Sequence, residues 1–341
     1  MRNEKLYKKI KKNWDNLAKP IDGLGEYENI LSKIGAVQGD ESIALSPATL
    51  LVFIADNGII EEGVSQSGSE VTYEVAKALG IGMSTVNHMA RSCGINVVPV
   101  NVGIKHPGEI KGVENKCVIN GTRNFNEEPA MTIAEVENAL DIGRECVRQL
   151  KSEGTKIIAL GEMGIGNTTT SAAVLAGLLN LNGEEVCSKG AGLSNDSLQK
   201  KIKIVDQAKE KYNLSELSPL EILRYVGGLD LAALVGAILE ASEQNLPVIS
   251  DGFITGVAAL TAYYIDPSVR DILIFSHAGR ESGMRHIFDV FDVSPVITAD
   301  MSLGEGTGAC IFLASLKCAH SVYSGNTQFS DINIDNYERF Q

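Results

Sequence analysis

Two glutamates in this chain stand in glycine turns. Glu162 lies in Gly161-Glu162-Met163-Gly164-Ile165-Gly166-Asn167-Thr168-Thr169-Thr170, and Glu305 lies in Leu303-Gly304-Glu305-Gly306-Thr307-Gly308. The first follows the apolar run 156–160 and precedes the small-residue run 171–176, so it reads as a buried strand, a turn and a helix N-terminus. Free backbone N–H groups and the helix dipole make such a junction an anion site. The loop lacks the Gly-Lys-Ser/Thr of a nucleotide-hydrolysing P-loop, and it lacks the spacing and later acidic residue of a dinucleotide fold. A single phosphate on a ribose fits a loop this short, and the carboxylate beside it points to chemistry on a phosphorylated small molecule.

The turn at Glu305 echoes the first, and both lead into small-residue helices. Glycine on either side lets a ligand approach the backbone closely. A carboxylate on such a turn can accept a proton from a nitrogen or hydroxyl nucleophile, or stabilise a cationic sugar centre by charge. Either glutamate taken alone could equally be a helix cap. Lys201 follows a second turn-to-helix junction, where it is either a phosphate contact or an ordinary surface lysine. Asp56, in Ala55-Asp56-Asn57-Gly58, ends another strand, where it is a substrate-binding or a turn residue.

The elements that must carry these residues alternate. Short apolar runs at 50–55, 96–102, 156–160, 247–250, 271–275 and 296–298 predict six buried parallel strands. Helical patterns at 71–79, 133–151, 168–179, 198–212, 229–243 and 305–319 separate them. The fold class expected is α/β, a Rossmann-like parallel sheet of about six strands flanked by helices, with ligands beyond the carboxyl ends of the strands. Residues 1–38 read as helices without a strand and residues 321–341 as a polar tail. These two segments are expected to form a small helical domain beside a large α/β domain over 39–320.

A net charge of -13 in 341 residues argues against nucleic acid as a partner. The basic cluster Lys5, Lys8, Lys9, Lys11 and Lys12 reads as a solvated face of the first helix. Six cysteines without a CxxC pair predict reduced thiols rather than a zinc site or disulfide framework. No apolar run is long enough to span a bilayer, and the N-terminus has no signal-peptide core. The expectation is a cytoplasmic enzyme without membrane contact.

Together these motifs resemble the nicotinate-nucleotide–dimethylbenzimidazole phosphoribosyltransferase family of cobamide biosynthesis. Lys19 to Gly25 is similar to its KPxGSLG opening, Glu61 to Thr72 to its EGVS…EVT segment, and Gly161 to Thr169 to its GEMGIGNTT signature. Gly227 to Leu234 resembles its GGLEIAAL run, Asp251 to Ile254 its DGFI, and Leu303 to Ala309 its LGEGTGA. The resemblance implies transfer of phosphoribosyl from nicotinate mononucleotide to an aromatic lower-ligand base, with Glu305 as general base. It implies that Gly161, Glu162, Gly164, Ile165, Gly166, Asn167, Thr168, Lys201 and Glu281 hold phosphate and ribose. Ser67, Val75 and Leu303 would border the acceptor. No metal and no cofactor are called for. The partners implied are small molecules and a second copy of the chain, or else a paralogue in a heterodimer in which this chain is a non-catalytic or weakly active subunit.

The chain also departs from the family pattern. Asn57 stands where GDHGV has histidine, and Gly279 and Met284 stand where SHRSAEPGH has serine and histidine. Val75 occupies a place where a glutamine can face the acceptor nitrogen. These departures predict an altered acceptor: another benzimidazole, a purine or a phenol.

Overall fold

The computed structural model describes residues 2–106, 108–189 and 192–339. Six parallel strands form the main sheet: β1 (Ala48–Ala55), β2 (Asn96–Gly103), β3 (Glu114–Asn115), β4 (Ile157–Met163), β5 (Val248–Ser250) and β6 (Leu273–Phe275). Their order is β3-β2-β1-β4-β5-β6, the doubly wound arrangement in which the direction of winding reverses between β1 and β4. A separate parallel pair joins β7 (His277–Gly279) to β8 (Ile297–Met301).

β1 is buried along its whole length, and its side chains alternate between two apolar layers. Leu51, Phe53 and Ala55 enter one layer, and Leu50, Val52 and Ile54 enter the other. β4 does the same, with Ile158 and Leu160 on the first face and Ile157 and Ala159 on the second. This two-sided burial is why the strands read as unbroken apolar runs, and parallel pairing is why helices must cover both faces. The helices Ile133–Ser152, Asn167–Leu179, Leu229–Glu243 and Phe253–Ile265 cover the first face.

On the second face lie the helices Glu4–Asp15, Glu26–Gln38, Thr85–Cys93 and Thr307–Gly325. Ile10, Trp14, Leu31 and Ile34 join the same apolar layer as Phe312 and Leu316. Trp14 and Tyr323 meet in a tilted pair at 4.8 Å between ring centroids, and Leu17 bridges to Gln328. The first and last segments therefore meet one another on this face.

The predicted strand at 296–298 is corrected by the structure. It pairs with β7 outside the main sheet as β8, whose middle residues are exposed. The outer place in the main sheet goes to Glu114–Asn115, which has no apolar signal to announce it. A side-chain bond from Asn101 Nδ2 to Asn115 Oδ1 at 3.0 Å fastens it there. Among the described residues no helix is long and apolar enough to cross a membrane.

Candidate active site

Beyond the carboxyl ends of β1, β4, β5 and β6 lies a cavity of about 330 Å³, at the point where the winding of the sheet reverses. Glu162, Gly164, Ile165, Gly166, Asn167 and Thr168 line one side of it. Leu303 and Glu305 close it from the other turn, Ser67 and Val75 from the segment after β1, and Glu281 from the segment after β7. Motifs as far apart in the chain as Ser67 and Glu305 thus converge in one place, because parallel strands bring all their carboxyl ends to one rim.

β4 runs through Met163 before the chain turns, and the helix Asn167–Leu179 follows with Gly166 at its N-cap in the left-handed region, φ +96°. That cap has no side-chain bond; Asn167 N and Thr169 N turn back to the Gly164 and Gly166 carbonyl oxygens at 3.2 and 3.0 Å, which leaves the Gly166 and Thr168 N–H groups for an anion. The loop itself is pinned: Ile165 N donates to Thr72 Oγ1 at 3.1 Å, and Thr170 Oγ1 donates to Asn57 Oδ1 at 3.1 Å. A Cβ on Gly164 would lie 2.2 Å from the Ala55 carbonyl oxygen, so only glycine lets β1 and the loop come this close.

Glu162 is buried, and its carboxylate shares the Asn167 amide with Asp230. Asn167 Nδ2 donates to Glu162 Oε2 and, at 3.0 Å, to Asp230 Oδ2. Burial, then repulsion from Asp230, pushes the Glu162 carboxyl up to about 8. Burial also raises Asp230 and Asp251. A cluster of buried acids cannot hold all its charges at once, so the protonated form of Glu162 is favoured. Because Asn167 already donates to Oε2, that proton belongs on Oε1, which faces Gly304 at 3.0 Å from where a Cβ would stand.

Glu305 has a different setting. It lies at φ +58° between Gly304 at +87° and Gly306 at +91°, three left-handed residues in succession. A non-glycine residue held there costs on the order of 1–3 kcal/mol and persists only where its surroundings fix it. The fixing is visible. A Cβ on Gly161 would lie 2.6 Å from the Glu305 carbonyl oxygen and one on Gly306 2.4 Å from Leu50 Cδ1. The two echoing turns are therefore in contact. Glu305 Oε2 accepts from Val86 N at 3.4 Å, at the start of the helix Thr85–Cys93, which holds the half-exposed carboxylate at the mouth of the cavity.

Two predicted residues do not line the cavity. Gly161 lies beneath it and provides the contact just described. Lys201 is wholly buried, with Nζ donating to Thr168 Oγ1 at 3.0 Å and to the Ser188 carbonyl oxygen at 3.4 Å. Burial pulls its ammonium down, while Cys187 and Glu281 nearby favour the charge. It is neither a surface lysine nor a lining residue; it backs the loop through Thr168. Gly190 and Ala191, in the turn that leads to its helix, lie outside the described residues.

The phosphoribosyltransferase family model matches residues 1–334. The nicotinate-nucleotide–dimethylbenzimidazole phosphoribosyltransferase of Acetivibrio thermocellus is 34% identical over 337 residues, 98% of this chain and 96% of its own. The enzyme of the same name from Clostridium perfringens is 37% identical over 328 residues, 96% and 91% of the two chains. This chain belongs to the nicotinate-nucleotide–dimethylbenzimidazole phosphoribosyltransferase family. The crystal structure of such an enzyme from Thermus thermophilus superposes with a TM-score of 0.91 at 33% identity, covering 98% of this chain and 100% of that one.

Against the family pattern, three of the departures have different standing in the structure. Asn57 is buried and accepts from Thr170, so it holds the start of the helix after β4. Met284 is buried in the apolar layer with Ile287 and Phe288, and is a packing residue. Gly279 lies beside the cavity-lining Glu281, and a side chain there would first meet Glu281 Oε2 at 2.7 Å. Among the cavity-lining residues not given a role from the sequence are Asp251, His277, Thr307 and Lys189. Asp251 Oδ1 accepts from Ala309 N at 2.8 Å and so caps the helix that follows Glu305. Its DGFI motif is the signal that could have found it, since an acid at a strand end precedes a glycine and a helix. His277 could have been read from its place just after β6.

Proposed function

We propose that this chain transfers the phosphoribosyl group of nicotinate mononucleotide to an aromatic base, 5,6-dimethylbenzimidazole or a related azole or phenol. The products are the α-ribotide and nicotinate. The observation that carries this reading is the juxtaposition of an uncapped phosphate-type helix start with a strained, glycine-flanked Glu305 across one cavity. The names of relatives matched over nearly the whole chain support it.

In this reading the 5′-phosphate sits on the Gly166 and Thr168 N–H groups, steadied by Lys201 through Thr168. One nitrogen of the azole attacks C1′ while the C1′–N bond to nicotinate breaks, and the bonding pair leaves with the pyridine ring. The azole becomes cationic, so its other N–H turns acidic and passes its proton to the Glu305 carboxylate. Protonated Glu162 adds no negative charge beside the phosphate and can donate to an oxygen of the ribose phosphate. Positioning and charge placement supply most of the acceleration. Val75, in place of a hydrogen-bonding side chain, shifts acceptor preference away from dimethylbenzimidazole.

The working form in this reading is a cytoplasmic homodimer. Leu303, which lines the cavity, and Ile81 and Met83, in the segment before the helix Thr85–Cys93, are 52%, 55% and 65% accessible and offer apolar surface for a second copy, and light scattering tests it. Activity is tested by incubating the pure protein with nicotinate mononucleotide and a panel of azoles and phenols. Nicotinate released in step with a ribotide supports the reading. No release with any acceptor overturns it, and best turnover on dimethylbenzimidazole overturns the role given to Val75.

A further inference from the structure

His277 is buried, lines the cavity and has no part in the chemistry described above. Its tautomer follows from its neighbours. The Ser276 hydroxyl has one hydrogen, which it donates to the Asp251 carbonyl oxygen at 2.6 Å. Ser276 Oγ must then accept from His277 Nδ1, 2.9 Å away. Nδ1 therefore carries the ring proton, and Nε2 presents a lone pair. Burial lowers the pKa of the ring and so favours this neutral form.

Packing fixes the ring further. A Cβ on Gly308 would lie 2.1 Å from Nδ1, so that edge is closed by the helix Thr307–Gly325. The Nε2 edge faces two glycines instead, 3.7 Å from where a Cβ on Gly279 would stand and 3.8 Å from one on Gly252. Nε2 makes no hydrogen bond among the described residues, and it is not sealed away but opens on the cavity that His277 lines. The same vacant position at Gly279 is bordered by Glu281 Oε2 at 2.7 Å and by the Met301 carbonyl oxygen at 3.2 Å, which already accepts from Arg280 N. Two side-chain acceptors that both line the cavity, one imidazole and one carboxylate, thus flank one side-chain-free space beside it.

We propose that His277 Nε2 and the Glu281 carboxylate accept from the two neighbouring hydroxyls of the donor ribose and so fix which face of the sugar C1′ presents to Glu305. The inference rests on the phosphoribosyl reading above. A vicinal diol brings two O–H donors on one side of the ring, which matches a pair of acceptors and no donor. His277 is then a substrate-binding residue, and Ser276 and Asp251 position it.

Two variants separate this from a packing role. His277→Asn keeps a donor where Nδ1 stands and removes the acceptor at Nε2; His277→Gln places a carbonyl oxygen near Nε2. Steady-state kinetics with nicotinate mononucleotide and its 2′-deoxy and 3′-deoxy analogues are measured on each, with thermal melting as the check on folding. His277→Asn is expected to raise KM about tenfold, as for loss of one hydrogen bond, and His277→Gln to recover most of it. One deoxy analogue should lose about tenfold on the wild type and nothing further on His277→Asn. An unchanged KM in a folded His277→Asn, or losses that simply multiply for both analogues, would overturn the proposal. The underlying reading is checked separately by wild-type turnover. Were that absent, calorimetry with ribose 5-phosphate and 2-deoxyribose 5-phosphate on the same variants reads the acceptor pair directly, and equal affinities would overturn it.

Discussion

Gly161→Ala tests whether the contact between the two turns is what places Glu305. Gly161 has ordinary extended backbone, so alanine is not excluded by its own conformation. The new Cβ would lie 2.6 Å from the Glu305 carbonyl oxygen, 2.8 Å from its carbon and 2.9 Å from Gly306 N. All three are backbone atoms, so no side chain can swing aside. Ordinary contact begins at 3.4 Å, which leaves the 304–306 turn to move by about 0.8 Å, a small-to-large strain of about 1–3 kcal/mol. The turn has little slack, because three consecutive residues already occupy the left-handed region. A misplacement of this size at a catalytic group costs on the order of 10²-fold in rate. The phosphate loop proper begins at Gly164, so KM for the nucleotide should stay within about threefold of wild type, a fraction of a hydrogen bond. The assay is nicotinate release at saturating nucleotide, paired with a thermal melt. A wild-type kcat with an unchanged melting temperature would refute the reasoning.

Further expectations concern the acceptor, the buried acids and the buried lysine. Val75→Gln should improve kcat/KM for an azole carrying an N–H by about five- to tenfold through one new hydrogen bond, and competition assays between dimethylbenzimidazole and a phenol read the shift. The folded-state pKa of Glu162 is raised to about 8 from 4.5, so the native state binds the proton more tightly than the unfolded chain. Its contribution to stability is full below about pH 4.5 and is lost as pH rises through about 8, with Asp230 and Asp251 acting in the same sense. Urea midpoints of the ligand-free protein should therefore fall from pH 5 to pH 8, and more shallowly in Glu162→Gln; parallel slopes would contradict the assignment. Lys201→Met removes the donor that steadies Thr168 and should raise KM for the nucleotide by about tenfold while leaving the melt within a few degrees, measured by the same release assay.

Much of this was legible in the residues. The strands at the centre of the sheet show as apolar runs because both of their faces are buried, and the glycine turns show because close approach excludes side chains. The phosphate loop and Glu305 were readable for that reason, and the structure puts both on one cavity. What was not legible depends on three dimensions. The edge strand Glu114–Asn115 is polar and two residues long, so it has no periodicity to detect. Lys201 looks like a surface lysine in a helix of many lysines, and only the depth of its helix face buries it beneath Thr168. Met284 sits in a site motif yet faces the apolar layer. His277 and Asp251 act through tautomer and cap geometry, which spacing cannot encode.

The central claim is that Glu305 takes the acceptor's proton while the loop after β4 holds the nucleotide. Glu305→Gln tests it most directly, since the amide keeps an oxygen for Val86 N and removes the base. Single-turnover nicotinate release and nucleotide affinity by calorimetry should be measured on the same preparation. The account predicts affinity within about twofold of wild type and a rate lower by about 10²-fold or more, as for loss of a general base. Release at the wild-type rate with bound nucleotide would contradict it.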